Sequence, residues 1–232
     1  MARGNIISYF EMCRVEGTSL QRGMNFRVRG HHSVILMSVR PGAPYRDRIQ
    51  DEGQTLIYEG HDVPKSVDGP NPKIVDQPEF NANGRPTENG KFHKAAQDHK
   101  RGLKGPDLVR VYEKLRDGVW SDNGYFHLVD SWREADAQRQ VFKFKLKAIE
   151  DVASELAEDA TEFIRSPGRI IPAHVKQAVW KRDGGKCVTC GATDELHFDH
   201  ILPFSKGGTS LTAENVQLLC ARHNLKKRDR IE

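Results

Sequence analysis

Apolar residues between positions 26 and 146 come in short runs, and glycine, proline and asparagine separate these runs. The run at 33–39 stops at Pro41 and Gly42, which favours a buried strand over a helix. Similar runs predict strands at 55–58, 108–112, 125–129 and 140–146, and the last alternates apolar with basic residues as a half-exposed strand does. This part of the chain is therefore predicted to be a β-rich domain.

Two other segments depart from this pattern. Residues 60–105 are rich in proline, asparagine, glycine and lysine, which predicts long loops, either functional or disordered, with one short helix near 91–100. Residues 148–165 have a helical pattern with many acidic residues, and Ser166, Pro167 and Gly168 end it. We therefore predict an N-terminal domain at 1–147, a helical linker at 148–168 and a C-terminal domain at 169–232.

Size and charge limit the function classes only mildly. A chain of 232 residues can form two modest domains or one large one. The net charge of +4 and the pI of about 8.8 permit a nucleic-acid partner without requiring one. The chain has neither an apolar run near the ~18 residues of a membrane span nor the apolar core of a secretory signal. We expect a soluble protein of the prokaryotic cytoplasm, where thiols stay reduced.

The cysteines cluster near the end of the chain. Cys187 and Cys190 form one short-spaced pair, Cys220 and His223 form a second, and Cys13 stands apart. Thiolates and imidazoles in two such pairs are typical ligands of tetrahedral zinc. A chance pair or a redox dithiol is the alternative for the first pair, and the second pair argues against both. A structural zinc ion would supply much of the folding free energy of so short a segment.

The residues between and after these pairs carry a second pattern. They include Asp199-His200-Ile201-Leu202-Pro203, the turn Gly207-Gly208, Asn215 four residues before Leu219, and Asn224 shortly before Lys226-Lys227. Over about residues 171–228 the chain resembles an HNH nuclease of the ββα-metal fold.

The resemblance implies a role for each position. His200 is the expected general base, because an imidazole takes a proton from water near neutral pH. Asp199 and Asn224 are the expected ligands of one divalent cation, most simply Mg²⁺. Asn215 would orient His200 through its backbone or its ring. As an alternative, His223 is itself catalytic and zinc is left with three cysteines.

Basic residues surround this predicted site. His197 either touches a phosphate or is an outward-facing strand residue. A basic fringe is expected to contact phosphates and comprises Lys206, Arg222, Lys226, Lys227 and Arg228.

The N-terminal part contains a different set of motifs. They are Tyr45-Arg46-Asp47, a turn at 51–53 leading to Tyr58-Glu59-Gly60, a strand at 109–112, and a block from Asp122 to Trp132 in which Asp122-Asn123-Gly124 replaces Tyr-Asp-Gly. Over about residues 30–146 this resembles the SRA (SET-and-RING-associated) domain, which implies a PUA-like β-barrel.

That resemblance implies recognition of 5-methylcytosine or 5-hydroxymethylcytosine in double-stranded DNA by base flipping. Tyr45 and Tyr58 would stack on the extruded base, and Asp47, or another acidic residue nearby, would accept a hydrogen bond from its exocyclic amine. Arg46 or Arg48 would face phosphate. Basic residues of the 60–105 loops would reach the grooves, namely Lys65, Arg85, Lys91, Lys94, Lys100 and Arg101.

The predicted protein is thus an α+β chain in which an SRA-like domain, a helical linker and a zinc-stabilised HNH domain form a modification-dependent (type IV) restriction endonuclease. A homing-type HNH nuclease that reads unmodified sequence is one alternative. A non-catalytic zinc DNA-binding module is another, although such a module needs none of the four HNH residues. A double-strand break would require a homodimer or two binding events.

Overall fold

The computed structural model describes residues 6–21, 23–40, 42–67, 69–149, 171–203 and 206–227. Most of the predicted linker at 148–168 lies outside these residues, so the helix predicted there and the domain boundaries stay predictions. Among the described residues, no helix is both long and apolar enough to cross a membrane.

The structure is of mixed α+β class, as the sequence predicted. Its helices are α1 (Tyr9–Glu16), α2 (Glu88–Lys100), α3 (Ala173–Arg182) and α4 (Ala221–Lys227). Its strands are β1 (Ile6–Ile7), β2 (Met24–Asn25), β3 (Ser33–Met37), β4 (Arg48–Gln50), β5 (Thr55–Glu59), β6 (Asp107–Arg116), β7 (Val119–Asp136), β8 (Arg139–Ala148), β9 (Leu196–His200) and β10 (Val216–Cys220). The five predicted strands correspond to β3 and β5–β8, and the predicted short helix is α2.

The N-terminal part is built on one sheet with the strand order β2-β3-β6-β7-β8-β5-β4, and β1 pairs with β7. Strands β3 and β6 are parallel, whereas the other pairs are antiparallel. Helix α2 begins at Thr87, whose side chain accepts a hydrogen bond from the Gly90 amide. Its apolar residues Phe92, Ala95 and Ala96 are buried in the core of the sheet. The helix therefore closes the core beside the segment that follows β5.

The C-terminal part is a two-stranded antiparallel sheet flanked by two helices. In the register of β9 and β10, His200 lies opposite Val216 and Asp199 opposite Gln217. Phe198 packs with Val175 and Val179 of α3. Helix α4 starts at the residue after β10 ends. The predicted metal and catalytic residues are thus brought together by one compact ββα unit.

A buried interface joins the sheet to this ββα unit. Leu115 of β6 lies in the same apolar cluster as Ile171 and Val175. At its edge, the Lys176 ammonium donates to Glu113 Oε2 (2.7 Å) and to Asn123 Oδ1 (2.6 Å), and the Lys176 and Glu113 side chains are 2% and 0% exposed. Because these charges are paired and out of water, removing either one alone would leave the other buried without its partner.

We predict that Lys176→Ala strongly destabilises the protein. The substitution leaves the Glu113 carboxylate buried without its cation, which typically costs about 3–5 kcal/mol. The midpoint of urea denaturation measures the effect, read together with the slope.

Lys181→Ala is the matched control, because Lys181 lies exposed on the same helix and should change stability by less than ~0.5 kcal/mol. The apolar double replacement Lys176→Met with Glu113→Leu should lose less stability than Lys176→Ala alone. Equal midpoints for Lys176→Ala and Lys181→Ala would show that the pair does not hold the interface.

Candidate functional site

Four metal-ligand atoms converge at the junction of β10 and α4. The thiolate sulfurs of Cys187, Cys190 and Cys220 and one ring nitrogen of His223 all lie within 4.8 Å of one another. Cys190 Sγ is 3.8 Å from Cys220 Sγ, and His223 Nδ1 is 3.3 Å from Cys220 Sγ and 3.6 Å from Cys187 Sγ. Zinc–sulfur bonds of about 2.3 Å in a tetrahedron place sulfurs about 3.8 Å apart. The donor set and its spacing therefore fit one zinc ion.

The backbone around the first pair prepares this cluster. The Gly191 amide donates to the Cys187 carbonyl at 2.8 Å, and the Cys187 amide donates to the Ala192 carbonyl at 2.8 Å, which closes a tight turn. Burial raises the pKa of Cys187, but nearby backbone amides of Cys220, Cys190 and Thr189 outweigh burial and lower that pKa to about 6. A thiol with a lowered pKa is readily available as the thiolate that metal binding needs.

The position of His223 bears on the two assignments that the sequence left open. Its Nδ1 atom lies among the cysteine sulfurs, which favours His223 as a zinc ligand over a catalytic His223. Asn224, the next residue of α4, therefore points in another direction, because successive helical residues are turned by about 100°.

Asp199 and His197 lie on the face of β9 opposite Phe198, since side chains alternate along a strand. Asp199 Oδ2 and His197 Nε2 are both buried, and His197 Nε2 has no hydrogen-bond partner among the described residues. Lys227 Nζ is 2.7 Å from Asp199 Oδ2 and donates to the His200 carbonyl at 2.5 Å. Asp199 is thus already paired with a buried ammonium group.

Asn224 lies three residues before Lys227 on α4, and residues at that spacing share one face of a helix. The face that reaches Asp199 through Lys227 therefore also carries Asn224. A carboxylate and an amide oxygen are ligands that Mg²⁺ accepts. The donor chemistry of Asp199 and Asn224 therefore fits a divalent cation, which would have to displace the Lys227 ammonium from Asp199.

The His200 ring is oriented by a hydroxyl group. His200 Nε2 lies 2.8 Å from Ser210 Oγ, and Ser210 is fully buried. A hydrogen bond to one ring nitrogen fixes the tautomer and the direction of the imidazole. Ser210 is a positioning residue that the sequence did not reveal, because ten residues of loop separate it from His200.

Asn215 holds the loop that follows His200. Its Oδ1 accepts from the Leu202 amide (2.8 Å), while its Nδ2 donates to the carbonyls of Leu202 (3.1 Å) and Thr209 (2.9 Å). The sequence left open whether Asn215 acts on the backbone or on the ring of His200. The contacts of Asn215 are to backbone atoms of the loop that follows His200. A Cβ atom on Gly208 would lie 1.8 Å from the Leu202 carbonyl oxygen, so only glycine fits beside these hydrogen bonds of Asn215.

The basic fringe divides into two kinds of residue. Lys206, Arg222 and Lys226 are exposed, whereas Lys227 is only 1% exposed. Lys227 was therefore wrongly placed in the fringe, and it is part of the site itself. The expectation that His197 faces outward is also wrong, because the residue is buried, and burial lowers the pKa of its ring. Arg228 lies outside the described residues.

In the N-terminal part, the three residues predicted to hold a base are neighbours. The Asp47 carboxylate accepts the Ser38 amide (3.2 Å) and the Glu59 amide (3.0 Å), which ties it to the strand of Tyr58. Burial raises the pKa of Asp47 to about 7, although both amides oppose this shift. Tyr45 is half-buried and Tyr58 is fully buried in the core of the sheet. We name this group the base pocket.

Two charged networks adjoin the residues of the base pocket. Glu59 is buried and pairs with Arg139 (3.4 Å) and Lys143 (2.8 Å). Lys73 Nζ lies 2.8 Å from Asp62 Oδ2 and 4.3 Å above the centre of the Tyr45 ring. These contacts fix the strand end that carries Tyr58 and hold the outer face of Tyr45.

Several basic residues around the pocket that were predicted to contact phosphates are paired with carboxylates. Lys91, Lys94 and Lys100 pair with Glu88, Asp98 and Asp130 respectively. Arg46 and Arg48 are well exposed and pair with Asp136 (2.9 Å) and Glu134 (3.7 Å). Exposed pairs of this kind contribute little to stability, so a phosphate can exchange for the carboxylate at low cost.

Comparison with known families identifies the C-terminal segment. Residues 187–230 match the family HNH endonuclease. The matched segment contains the Cys187, Cys190, Cys220 and His223 cluster together with Asp199, His200, Asn215 and Asn224, and the predicted HNH resemblance is confirmed. No curated protein matches the chain significantly.

Several solved structures are similar to the chain. The SUVH5 SRA domain with fully methylated CG DNA is 21% identical, with a TM-score of 0.42, and covers 63% of this chain and 88% of that chain. The same domain bound to fully hydroxymethylated CG DNA is 20% identical, with a TM-score of 0.42 and coverages of 61% and 83%. Arabidopsis thaliana SUVH6 in complex with SAM is 17% identical, with a TM-score of 0.43 and coverages of 77% and 29%. The first two are domains of the family that the N-terminal motifs resemble.

We predict one zinc ion per chain, held by the four clustered residues. Cys220→Ser should lose the zinc and unfold the ββα unit, because metal binding supplies folding free energy there. Elemental analysis of the purified protein gives the zinc content, and circular dichroism gives the folding.

Cys13→Ser is the control, since Cys13 lies outside the cluster and its removal should leave the zinc content unchanged. Full zinc content in Cys220→Ser would contradict the assigned ligand set.

Proposed function

We propose that this protein is a modification-dependent DNA endonuclease. It reads 5-methylcytosine or 5-hydroxymethylcytosine in double-stranded DNA by flipping the base into the base pocket, and it cuts with the HNH segment. The observation that carries the proposal is the convergence of two complete sets of residues in one chain. Tyr45, Asp47 and Tyr58 are neighbours in the N-terminal part, and in the ββα unit Asp199 and His200 lie beside α4.

The residues of the ββα unit fit phosphodiester hydrolysis. His200, oriented by Ser210, takes the proton from the attacking water. Asp199 and Asn224 would hold a divalent cation, which would supply positive charge to the phosphate oxygens as negative charge grows in the transition state. Asn215 keeps the loop after His200 in place, so that the imidazole can activate a water molecule that lies in line with the scissile bond.

The residues of the base pocket fit the capture of a single extruded base. Unstacking a base costs a few kcal/mol, and stacking on an aromatic ring regains about 1–3 kcal/mol. Tyr45 offers such a ring at the rim of the pocket. Each oxygen of Asp47 already accepts one amide, and a carboxylate oxygen has a second lone pair, so Asp47 can also accept the exocyclic amine of cytosine.

The main test compares cleavage of three plasmids that carry methylated, hydroxymethylated or unmodified cytosine, with Mg²⁺ present. We expect cleavage of modified plasmid only, and His200→Ala should lower that cleavage at least 100-fold because the general base is gone. Fluorescence anisotropy should show unchanged DNA binding by His200→Ala.

Equal cutting of all three plasmids would favour the homing-type alternative. Near wild-type cutting by His200→Ala would remove His200 from the base role. Modification-dependent binding without any cutting would leave only the zinc DNA-binding module. Whether the active species is a homodimer stays a prediction, which the ratio of nicked to linear product addresses.

The pKa of Asp47 generates a pH prediction. Because the pKa of this buried carboxyl is raised to about 7, the carboxylate form that best accepts the cytosine amine grows as pH rises through 7. Affinity for modified DNA should therefore increase between pH 6 and pH 8 in the wild type.

Asp47→Asn cannot ionise and should show a weak, pH-independent preference for modified DNA. Parallel pH dependence of the preference in both proteins would assign the titration to another group and Asp47 to a structural role.

A further inference from the structure

His61, which has no part in the predicted site, contacts both tyrosines of the base pocket. Its ring is stacked on Tyr45 with centroids 5.8 Å apart and an interplanar angle of 22°. Its Nε2 atom lies 3.2 Å from the Tyr58 hydroxyl, and the centroids of these two rings are 6.5 Å apart. The imidazole therefore makes the two kinds of contact, stacking and a polar contact, that a captured base would make in the same place.

The backbone of His61 is held firmly. Its amide donates to Asn89 Oδ1 at 2.8 Å, and its carbonyl accepts from Asn89 Nδ2 at 2.8 Å. Asn89 is 1% exposed on α2. On one side of His61, the carbonyl of Gly60 accepts from the buried Gln77 Nε2 at 2.7 Å. Rotation of the side chain is therefore the accessible way for the ring to leave.

Another segment of the chain closes one side of the ring. A Cβ atom on Gly23 would lie 1.8 Å from His61 Nε2 and 3.0 Å from the Tyr58 hydroxyl. The backbone of Gly23 is in turn fixed, because its carbonyl accepts from the Leu36 amide at 2.7 Å. A base and the imidazole consequently have no room to share the place beside Tyr45 and Tyr58.

We propose that the His61 imidazole occupies the base slot in the DNA-free protein and must rotate out before a flipped base enters. His61 is then a specificity-determining residue, because an entering base has to replace both the Tyr45 stack and the polar contact to Tyr58. This inference rests on the proposed function.

Because the His61 ring occupies the base slot, a base that the pocket would bind only weakly is not captured. The imidazole imposes the same cost on every base, so a plain cytosine, which the pocket holds less well, stays in the duplex and binds without flipping. A modified cytosine, with its additional contacts, still displaces the ring. Burial lowers the pKa of His61, so the displaced group is a neutral ring at pH 7.

The test uses duplexes with one methylated or one plain cytosine beside 2-aminopurine, whose fluorescence rises when its neighbour leaves the stack. Without added divalent cation, we expect signal from the wild type only on the methylated duplex. His61→Ala empties the slot and should bind the methylated duplex at least fivefold more tightly and also give signal on the plain duplex. His61→Phe fills the slot with a larger ring and should weaken binding to the methylated duplex at least fivefold.

His61→Gln keeps a polar partner for Tyr58 without a ring and should bind between the wild type and His61→Ala. His31→Ala removes an exposed imidazole and should match the wild type. If the wild type discriminates but the Ala and Phe variants bind equally to it, or both more weakly, His61 does not occupy the slot. If the wild type gives the same signal on both duplexes, the proposed function fails and this inference fails with it.

Discussion

The geometry of the ββα unit depends on the four ligand residues that link the turn at Cys187–Cys190 to the junction of β10 with α4. The described residues of this unit form only two short strands and two short helices, too little apolar surface to fix α4 by packing alone. A metal ion bound at Cys220 and His223 would fix the first turn of α4, in the direction that brings Lys227 to Asp199. The proposed cation site would thus depend on the zinc site, although the two share no ligand.

In the N-terminal part, hydrogen bonds rather than a metal hold the residues of the base pocket in position. Polar side chains there bind backbone groups on both sides of the base pocket: the half-buried Asp47 links the residue after β3 to β5, and the buried Asn89 and Gln77 hold the turn after β5. Each has hydrogen-bond partners, as polar groups removed from water must have. The buried Lys176–Glu113 pair then joins the two halves, so under the proposed function the fold would set the distance between the read base and the cut.

Much of this could be predicted from the sequence because the signals are local. Short apolar runs ended by glycine or proline gave β3, β5 and the later strands, and two short-spaced ligand pairs gave the zinc site. The contacts of Ser210, Lys227, His61 and Lys176 were missed for a common reason. Each contacts at least one residue distant in sequence, as His61 contacts Tyr45, and a lysine in a basic run looks exposed until the fold shows it facing a carboxylate. Two of them carried a local signal, since Lys227 follows Asn224 by three residues and His61 follows Tyr58 by three residues.

The central claim is that one rigidly joined chain reads a modified cytosine and cuts at a distance set by its fold. Mapping cleavage at nucleotide resolution on a long duplex with a single 5-methylcytosine tests it most directly. The account predicts cuts at one fixed offset from the modified base, and the offset should move with that base when it is relocated. Cuts that stay at the same sequence after relocation, or that scatter along the duplex, would contradict it.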